Sequence, residues 1–154
     1  MTATGEMTTA QAVRAMLLVM PRLVGRAKRL PIPAALRGLD LAPRHLAVLA
    51  NLQYEGPLTV GELADRLEVA PTTVSLMVGD LSRHGVLTRQ EDDHDRRRRI
   101  VTIAPGYAAP IKQWLASSAA AWTTVLGALT PAQRATVIDT MRAYETALEQ
   151  HASS

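Results

Sequence analysis

Apolar and polar positions follow the spacing of an α-helix over most of the chain and alternate over one short stretch only. The first helical pattern begins after Thr8, which has the spacing of a capping box with Gln11. Pro21 lies inside this pattern, so the sequence predicts a kink or a break near Met20. The apolar positions of this predicted helix are Val13, Met16, Leu17, Met20, Leu23 and Val24.

A proline-containing stretch separates the first predicted helix from a second one. Residues 31–43 hold three prolines and Gly38, which predicts a loop or a short helix with turns. The second helix is predicted to begin at Pro43 and to stop at Gly56. Its inward-facing residues are predicted to be Leu46, Leu49 and Leu52.

The segment from Thr59 to Gly85 predicts a helix-turn-helix, which is two short helices joined by a tight turn. Thr59 and Glu62 have the spacing of a second capping box, and Pro71 occupies the first position of the second helix. The buried stripe of the first helix is Leu63, Ala64 and Leu67, and the turn is Glu68, Val69 and Ala70. The inner face of the second helix is Val74, Met77, Val78 and Leu81, and its outer face is Thr72, Thr73, Ser75, Leu76, Gly79 and Arg83.

The alternating pattern follows Gly85 and predicts a β-hairpin. Its two strands are VLTRQ and RIVTIA, with Leu87, Val101 and Ile103 on one face. The hairpin loop lies within RQEDDHDRRRRIV, where four acids and a histidine precede four arginines. Two helical segments follow, residues 107–129 with Pro110 near the start and residues 130–151 with a third capping box. That box consists of Thr130 and Gln133, with Pro131 as the first helical residue.

Composition sets limits on the class of protein. At 154 residues, 47% hydrophobic and 20% charged, the chain is expected to form one globular domain. It has no Cys, which excludes disulfides, thiol redox switches and thiolate metal sites, and its low aromatic content argues against a wide aromatic cleft. Neither a signal-peptide pattern nor an apolar run of about 20 residues is found, so we expect a cytoplasmic protein.

Basic residues are concentrated in two regions, although the formal net charge is only +3. Seven basic residues face one acid between Arg14 and Arg44, and six arginines face four acids between Arg83 and Arg99. Most of these bases are arginine, which binds phosphates and base edges in a bidentate manner. The distribution suggests a nucleic-acid partner first and an acidic membrane surface second.

Three interpretations compete for the charged hairpin loop. Asp92, Asp93, His94 and Asp95 could bind a metal ion, but four consecutive loop residues rarely converge on one ion. The loop could be solvated and without a partner, although four adjacent arginines repel one another unless an anion is near. The favoured interpretation is DNA contact, in which a hairpin tip lays an arginine into the minor groove.

The outer face of the second helix of the helix-turn-helix also has two interpretations. Thr72, Thr73 and Ser75 could serve only as cap and turn residues. Ala70 is a poor N-cap, so the first-turn N–H groups from Pro71 to Thr73 are predicted to be available to a DNA phosphate. Leu76 is either partly covered by the hairpin or available for a thymine methyl group.

The order of elements resembles the multiple-antibiotic-resistance regulator (MarR) family of bacterial transcription factors, from about Ala10 onward. The resemblance is carried by LTVGELADRL, by TTVS and by the run Asp92-Asp93-His94-Asp95-Arg96-Arg97 before Val101 and Ile103. It implies a mainly α fold with a small β-hairpin wing, a winged helix-turn-helix joined to a helical dimerisation region. It also implies a homodimer on pseudo-palindromic double-stranded DNA, with Arg97 in the minor groove and Asp95 bracing the wing.

The sequence departs from the family pattern in the recognition helix. Many relatives carry an Asp directly before an Arg, where this chain has Gly79 followed by Asp80. The brace between that acid and the wing arginine is therefore expected either to shift to Asp80 or to be missing.

The resemblance also implies a division of the chain into regions. Residues 6–40 and 105–154 would form the dimerisation region, and residues 41–104 the DNA-binding lobe, within a single domain of 1–154. Their junction is where relatives bind small aromatic or phenolic anions, and Arg44, His45 and Trp114 would line such an effector pocket in this chain. The alternative is that His45, Tyr107, Trp114 and Trp122 are ordinary core and interface residues.

These observations predict a ligand-responsive repressor that acts as a homodimer, with no enzymatic activity, cofactor, metal or membrane partner. Arg97 would enter the minor groove, while Arg96 and one of Arg98 or Arg99 would hold phosphates and Asp92 and Asp95 would orient the wing. Recognition-helix contacts are expected from Pro71, Thr72, Thr73, Ser75, Leu76 and Arg83. A winged-helix module that binds protein instead of DNA is the main rival, and a small metal-dependent enzyme is a remoter one.

Overall fold

The computed structural model describes residues 7–152. The start of the first predicted region at residue 6 and both chain ends lie outside the described residues. The fold class predicted from the sequence, mainly α with a small β wing, is confirmed. The elements in chain order are α1 (Thr9–Ala27), a 3-10 helix (Ala34–Leu36), α2 (Pro43–Glu55), β1 (Leu58–Thr59), α3 (Val60–Leu67), α4 (Pro71–Arg83), β2 (Leu87–Glu91), β3 (Arg99–Ile103), α5 (Pro105–Gly127) and α6 (Pro131–Ala152).

Helix α1 begins at the predicted capping box. The Thr8 hydroxyl accepts the backbone N–H of Gln11 at 3.2 Å, and the Gln11 side-chain oxygen accepts the N–H of Thr8 at 2.9 Å. The helix continues through Pro21 to Ala27, so the break predicted near Met20 is not formed. Proline removes one backbone donor from the helix, and the turns on both sides of Pro21 remain helical.

The helix-turn-helix formed by α3 and α4 is confirmed, and the turns before and after α3 each contain a residue with a positive φ. Gly56 ends α2 with φ 85°, and Glu68 ends α3 with φ 53°. The N-terminus of α3 has its capping box, because Thr59 accepts the N–H of Glu62 at 3.1 Å and Glu62 accepts the N–H of Thr59 at 2.8 Å. The turn at Glu68 therefore directs the chain straight into Pro71 and α4.

The β-rich region forms a three-stranded antiparallel sheet in the order β1-β3-β2. The predicted hairpin is β2 and β3, in which Leu87 pairs with Ile103. The third strand, β1, was not predicted, and it pairs Leu58 with Val101. Two residues are too short to show an alternating pattern, so the sequence carries no signal for β1. Because β1 leads directly into α3, it joins the wing to the helix-turn-helix.

The core lies among α2, α3, α4, the sheet and the first part of α5. Leu46, predicted to face inward on α2, is only half-buried, and Val48 is fully buried in its place. Counted from His45, the buried positions of α2 are i, i+3, i+4 and i+7. This spacing includes Val48 and excludes Leu46. The buried hydrophobic residues are Leu36, Val48, Leu49, Leu52, Leu58, Leu63, Ala64, Val74, Met77, Val78, Leu81, Val86, Leu87, Val101 and Ile111.

Internal contacts divide the chain into two units, Met1–Leu115 and Ala116–Ser154. In the second unit, α6 begins at the third capping box, where Thr130 and Gln133 exchange bonds at 2.9 and 3.2 Å. No residue of α6 is buried, although the whole helix lies within the described part of the chain. The predicted division into residues 6–40 with 105–154 and residues 41–104 stays a prediction. None of the helices described is long and apolar enough to cross a membrane.

Candidate nucleic-acid interface

The predicted outer face of α4 is exposed except at Gly79, which is partly buried. Thr72, Thr73, Ser75 and Arg83 are all exposed. Leu76 is 72% exposed, so the alternative in which the hairpin covers this side chain is wrong. An exposed leucine next to hydroxyl residues gives the face an apolar contact point beside hydrogen-bonding groups.

The first turn of α4 offers fewer backbone donors than the sequence suggested. Ala70 provides no side-chain cap, but its carbonyl accepts the N–H of Thr73 at 2.9 Å and of Val74 at 3.2 Å. Pro71 has no N–H. Within the described part of the chain, the N–H of Thr72 is therefore the first-turn donor left for a phosphate.

The wing loop between β2 and β3 is held by its own aspartates. Asp92 accepts the N–H of His94 at 2.9 Å, and Asp95 accepts the N–H of Arg97 at 3.0 Å. Two backbone bonds close the loop, from Asp92 N–H to the Arg98 carbonyl at 3.1 Å and from Arg98 N–H to the Asp95 carbonyl at 2.9 Å. The two side-chain bonds, in which an Asp carboxylate accepts the N–H of the residue two positions on, fix a tight turn. Both carboxylates are therefore in positions that orient the arginines.

The metal interpretation of this loop has no geometric support. Among residues 7–152, no three His, Asp or Glu side chains come together in a group that could hold a metal ion. The Asp92 and Asp95 carboxylates are directed at backbone N–H groups instead.

The four wing arginines fall into two kinds. Arg98 donates to Glu62 at 3.1 Å and lies 3.8 Å from Asp92. Arg99 donates at 2.8 Å to Glu91, its cross-strand partner. Arg96 and Arg97 are exposed and have no ion pair with an acid within the described residues. Of the four, Arg96 and Arg97 are thus best placed to meet an external anion.

A groove of about 380 Å³ lies between the start of α3, α4 and the wing. Its charged residues are all arginines, and one of them, Arg89 of β2, was not among the predicted site residues. The period of two places Arg89 on the same side of β2 as the buried Leu87. A Cβ on Gly79 would lie 3.8 Å from Arg89 Nη2, so this arginine passes α4 next to its smallest residue. The lining residues are Thr59, Val60, Gly61, Ser75, Arg89, Arg97, Arg98 and Arg99.

Glu62 pairs with Arg98, one of the arginines that line this cationic groove. Its hydrogen bond from the Thr59 backbone N–H lowers the pKa of the carboxyl below its ordinary value, and the guanidinium groups of Arg98 and Arg66 lower it further. Glu62 therefore carries its negative charge at neutral pH.

Asp80 does not brace the wing. Its carboxylate pairs with Arg83 one turn along α4, and its second oxygen lies 3.8 Å from His45 Nε2. The expectation that the brace shifts to Asp80 is therefore wrong, since Asp80 is turned toward Arg83 and α2. The acids that contact a wing arginine from α3 and from the loop are Glu62 and Asp92.

The residues predicted for an effector pocket differ in their surroundings. His45 is only 6% exposed, and its Nδ1 accepts the N–H of Ala42 at 3.1 Å, which caps α2. Trp114 is half-buried against the core, and Arg44 is exposed. None of the three lines the arginine groove.

Part of the chain is similar in sequence to known proteins. Residues 39–98 match the family model of the MarR family. A 57-residue segment is 40% identical to the HTH-type transcriptional repressor MdtR of Bacillus subtilis. That alignment spans 37% of this chain and 37% of the length of MdtR.

Two solved structures share the fold over nearly the whole chain. One is NMB1585, a MarR family regulator from Neisseria meningitidis, with a TM-score of 0.61 and 19% identity over 94% of this chain and 93% of that one. The other is Bordetella bronchiseptica BpsR, whose DNA binding is regulated by 6-hydroxynicotinic acid, with a TM-score of 0.58 and 20% identity over 87% and 98%. At this level of identity the likeness shows the fold alone.

Proposed function

Since this chain belongs to the MarR family of winged helix-turn-helix regulators, as its sequence motifs predicted, we propose that it is a sequence-specific regulator of transcription that binds double-stranded DNA. The observation that carries the proposal is the arginine groove beside the exposed outer face of α4. We further propose a homodimer that represses from a pseudo-palindromic operator in the cytoplasm. The repressor relative MdtR supports the sign of regulation.

Helix α4 is the proposed recognition helix in the major groove. The N–H of Thr72 holds a phosphate at the start of the helix, and the hydroxyls of Thr73 and Ser75 meet phosphates or base edges. Leu76 contacts a thymine methyl group, because its exposed side chain is the apolar point on this face. Arg83, at the other end of α4, holds a phosphate.

The wing is proposed to enter the adjacent minor groove. Arg97 is the inserting residue, because its backbone is fixed by Asp95 while its side chain is exposed and directed at the arginine groove. The negative potential of a narrow, A·T-rich minor groove favours a guanidinium there. Arg96 holds a flanking phosphate.

A small aromatic or phenolic acid is the proposed effector. The aromatic acid that regulates BpsR supports this class of compound. In this chain Arg44 supplies an exposed guanidinium for the acid group and Trp114 a partly exposed aromatic face. His45, which follows Arg44 on α2, is proposed to line the same pocket.

The proposal is tested by selecting bound sequences from a random DNA library and titrating the enriched site. We expect enrichment of an inverted repeat. Replacing Arg97 with alanine is then expected to cost about 1–3 kcal/mol of binding free energy per half-site, with stability nearly unchanged because the side chain is exposed.

The matched control is Arg142→Ala on α6, an arginine paired with Asp139 at 3.9 Å. It should leave DNA affinity unchanged. If no sequence is enriched, the protein is better explained as a winged-helix module for protein partners. If Arg97→Ala binds the operator as tightly as the parent, the wing does not read DNA through this residue.

A further inference from the structure

Glu62 connects the helix-turn-helix to the wing through two separate contacts. Its Oε2 accepts the backbone N–H of Thr59 at 2.8 Å, and its Oε1 accepts from Arg98 Nη2 at 3.1 Å. The N-terminal cap of α3 is therefore also the anchor of an arginine 36 residues further along the chain. Nothing in the capping chemistry of α3 requires this second contact.

Arg98 is held from two sides. Glu62 binds one of its terminal nitrogens at 3.1 Å, and Asp92 lies 3.8 Å from the other. The backbone of Arg98 also closes the wing loop, through bonds with Asp92 and Asp95. Its charge is thus offset within the protein, and its position is fixed at both the backbone and the guanidinium.

We propose that Glu62 is a positioning residue that keeps Arg98 out of the DNA contact and fixes the wing against α3. The inference rests on the proposed function and assigns roles within the wing. Arg98 positions the wing, Arg97 inserts into the minor groove, and Arg96 holds the phosphate. The wing then presents a defined number of uncompensated arginines to DNA, rather than the full run of four.

The pair of Glu62 and Arg98, called the clamp below, can hold the wing although both side chains are partly exposed. An exposed ion pair usually contributes little, because both side chains lose freedom when it forms. Glu62 has already lost that freedom to the α3 cap, and its lowered pKa keeps it ionised. The clamp is therefore expected to act mainly on the distribution of charge at the interface. Its effect on stability is expected to be small.

The test uses Glu62→Gln, because glutamine also serves as the third residue of a capping box and keeps the bond to the Thr59 N–H. The substitution keeps the cap and removes the negative charge of Glu62, the nearer of the two acids that hold Arg98. Released Arg98 should then neutralise a phosphate, so the salt dependence of non-specific DNA binding steepens by about 0.9 in log–log slope for each protomer on DNA. The ratio of operator to non-specific affinity should fall, because a looser wing and an added charge both favour non-specific sites.

Two further variants make the assignment specific. Arg98→Gln alone should leave the salt slope of the parent unchanged, because Arg98 does not contact phosphate in the parent. The double variant Glu62→Gln with Arg98→Gln should return the slope to the parent value. Glu55→Gln is the matched control, since Glu55 also pairs with an arginine, Arg66 at 3.6 Å, which does not line the groove.

The outcomes separate this inference from the proposed function. A parent protein that binds no DNA contradicts the proposed function. A parent that binds DNA, together with an Arg98→Gln variant whose slope falls by about 0.9 per protomer, shows that Arg98 contacts phosphate and overturns the inference. An unchanged slope in Glu62→Gln, with thermal unfolding showing the fold intact, overturns it as well.

Discussion

Two leucines on opposite faces of α4 illustrate how residue-level burial separates stability from recognition. Leu81 is 2% exposed and belongs to the core, whereas Leu76 is 72% exposed on the outer face. We expect Leu81→Ala to lower the free energy of unfolding by about 2–5 kcal/mol, because it removes buried contacts and leaves a cavity. Leu76→Ala should change it by no more than about 0.5 kcal/mol. Denaturant unfolding of the two variants measures this difference.

Leu76 also provides a test of base recognition. Leu76→Ala should weaken the preference for thymine at one position of the half-site, because the methyl contact is lost. Selection of bound sequences with the variant measures the change at each position. An unaltered sequence preference in Leu76→Ala would show that this side chain does not face a base.

Asp95 has opposite expected effects on specific and non-specific binding. It fixes the wing by accepting the N–H of Arg97, and it also places a negative charge beside the wing arginines. Asp95→Ala should therefore weaken operator binding and strengthen non-specific binding at low salt. Titrations across a salt series measure both effects. A chelator should change neither, and a chelator that reproduces the Asp95→Ala phenotype would restore the metal interpretation.

At the scale of elements, the predictions that succeeded depended on local patterns. The capping boxes at Thr8, Thr59 and Thr130 each involve residues three positions apart, and all three form. The inner face of α4 follows directly from helical spacing. Such features need no knowledge of the rest of the fold.

The features that the sequence did not predict depend on contacts between elements that are distant along the chain. The pairing of β1 with β3 joins Leu58 to Val101, and the clamp joins Glu62 to Arg98. Neither has a periodic signal, and the capping role of Glu62 already explained its presence in the sequence. Arg89 was overlooked for a similar reason, because its role depends on the position of Gly79 in the neighbouring helix.

Asp80 lies between His45 of α2 and Arg83 of α4. This arrangement predicts how substitutions of Arg83 and Asp80 affect DNA binding. Arg83→Ala should weaken binding about equally across sequences and reduce the salt slope by about one unit, because it removes a phosphate contact. Asp80→Asn should strengthen binding to all sequences about equally and leave the salt slope unchanged, since it removes a carboxylate that competes with the phosphate for Arg83. Salt titrations on operator and unrelated DNA measure both variants. If Arg83→Ala changes sequence preference instead, the orientation assigned to α4 is wrong.

At the scale of the whole molecule, each of the terminal helices α1 and α6 exposes several large apolar side chains. On α1, Leu17 is 67% exposed and Leu18 is 60% exposed, and α6 likewise exposes Tyr144 and Leu148. Large exposed apolar patches mark interaction surfaces. The core of the first unit takes no residue from α1, so the apolar side chains of this helix are not used to cover it.

We therefore expect a constitutive homodimer that buries about 2,000 Å² or more and spaces two recognition helices about 34 Å apart, near one turn of DNA. Sedimentation should show a dimer at micromolar concentration. Leu17→Glu should shift the protein toward monomer, because it places a charge in the apolar surface of α1. Leu76→Glu is the matched control, since it adds the same charge at an equally exposed leucine on α4 and should leave the dimer intact. A parent protein that sediments as a monomer would contradict the dimer, and so would a Leu17→Glu variant that dimerises as tightly as the parent.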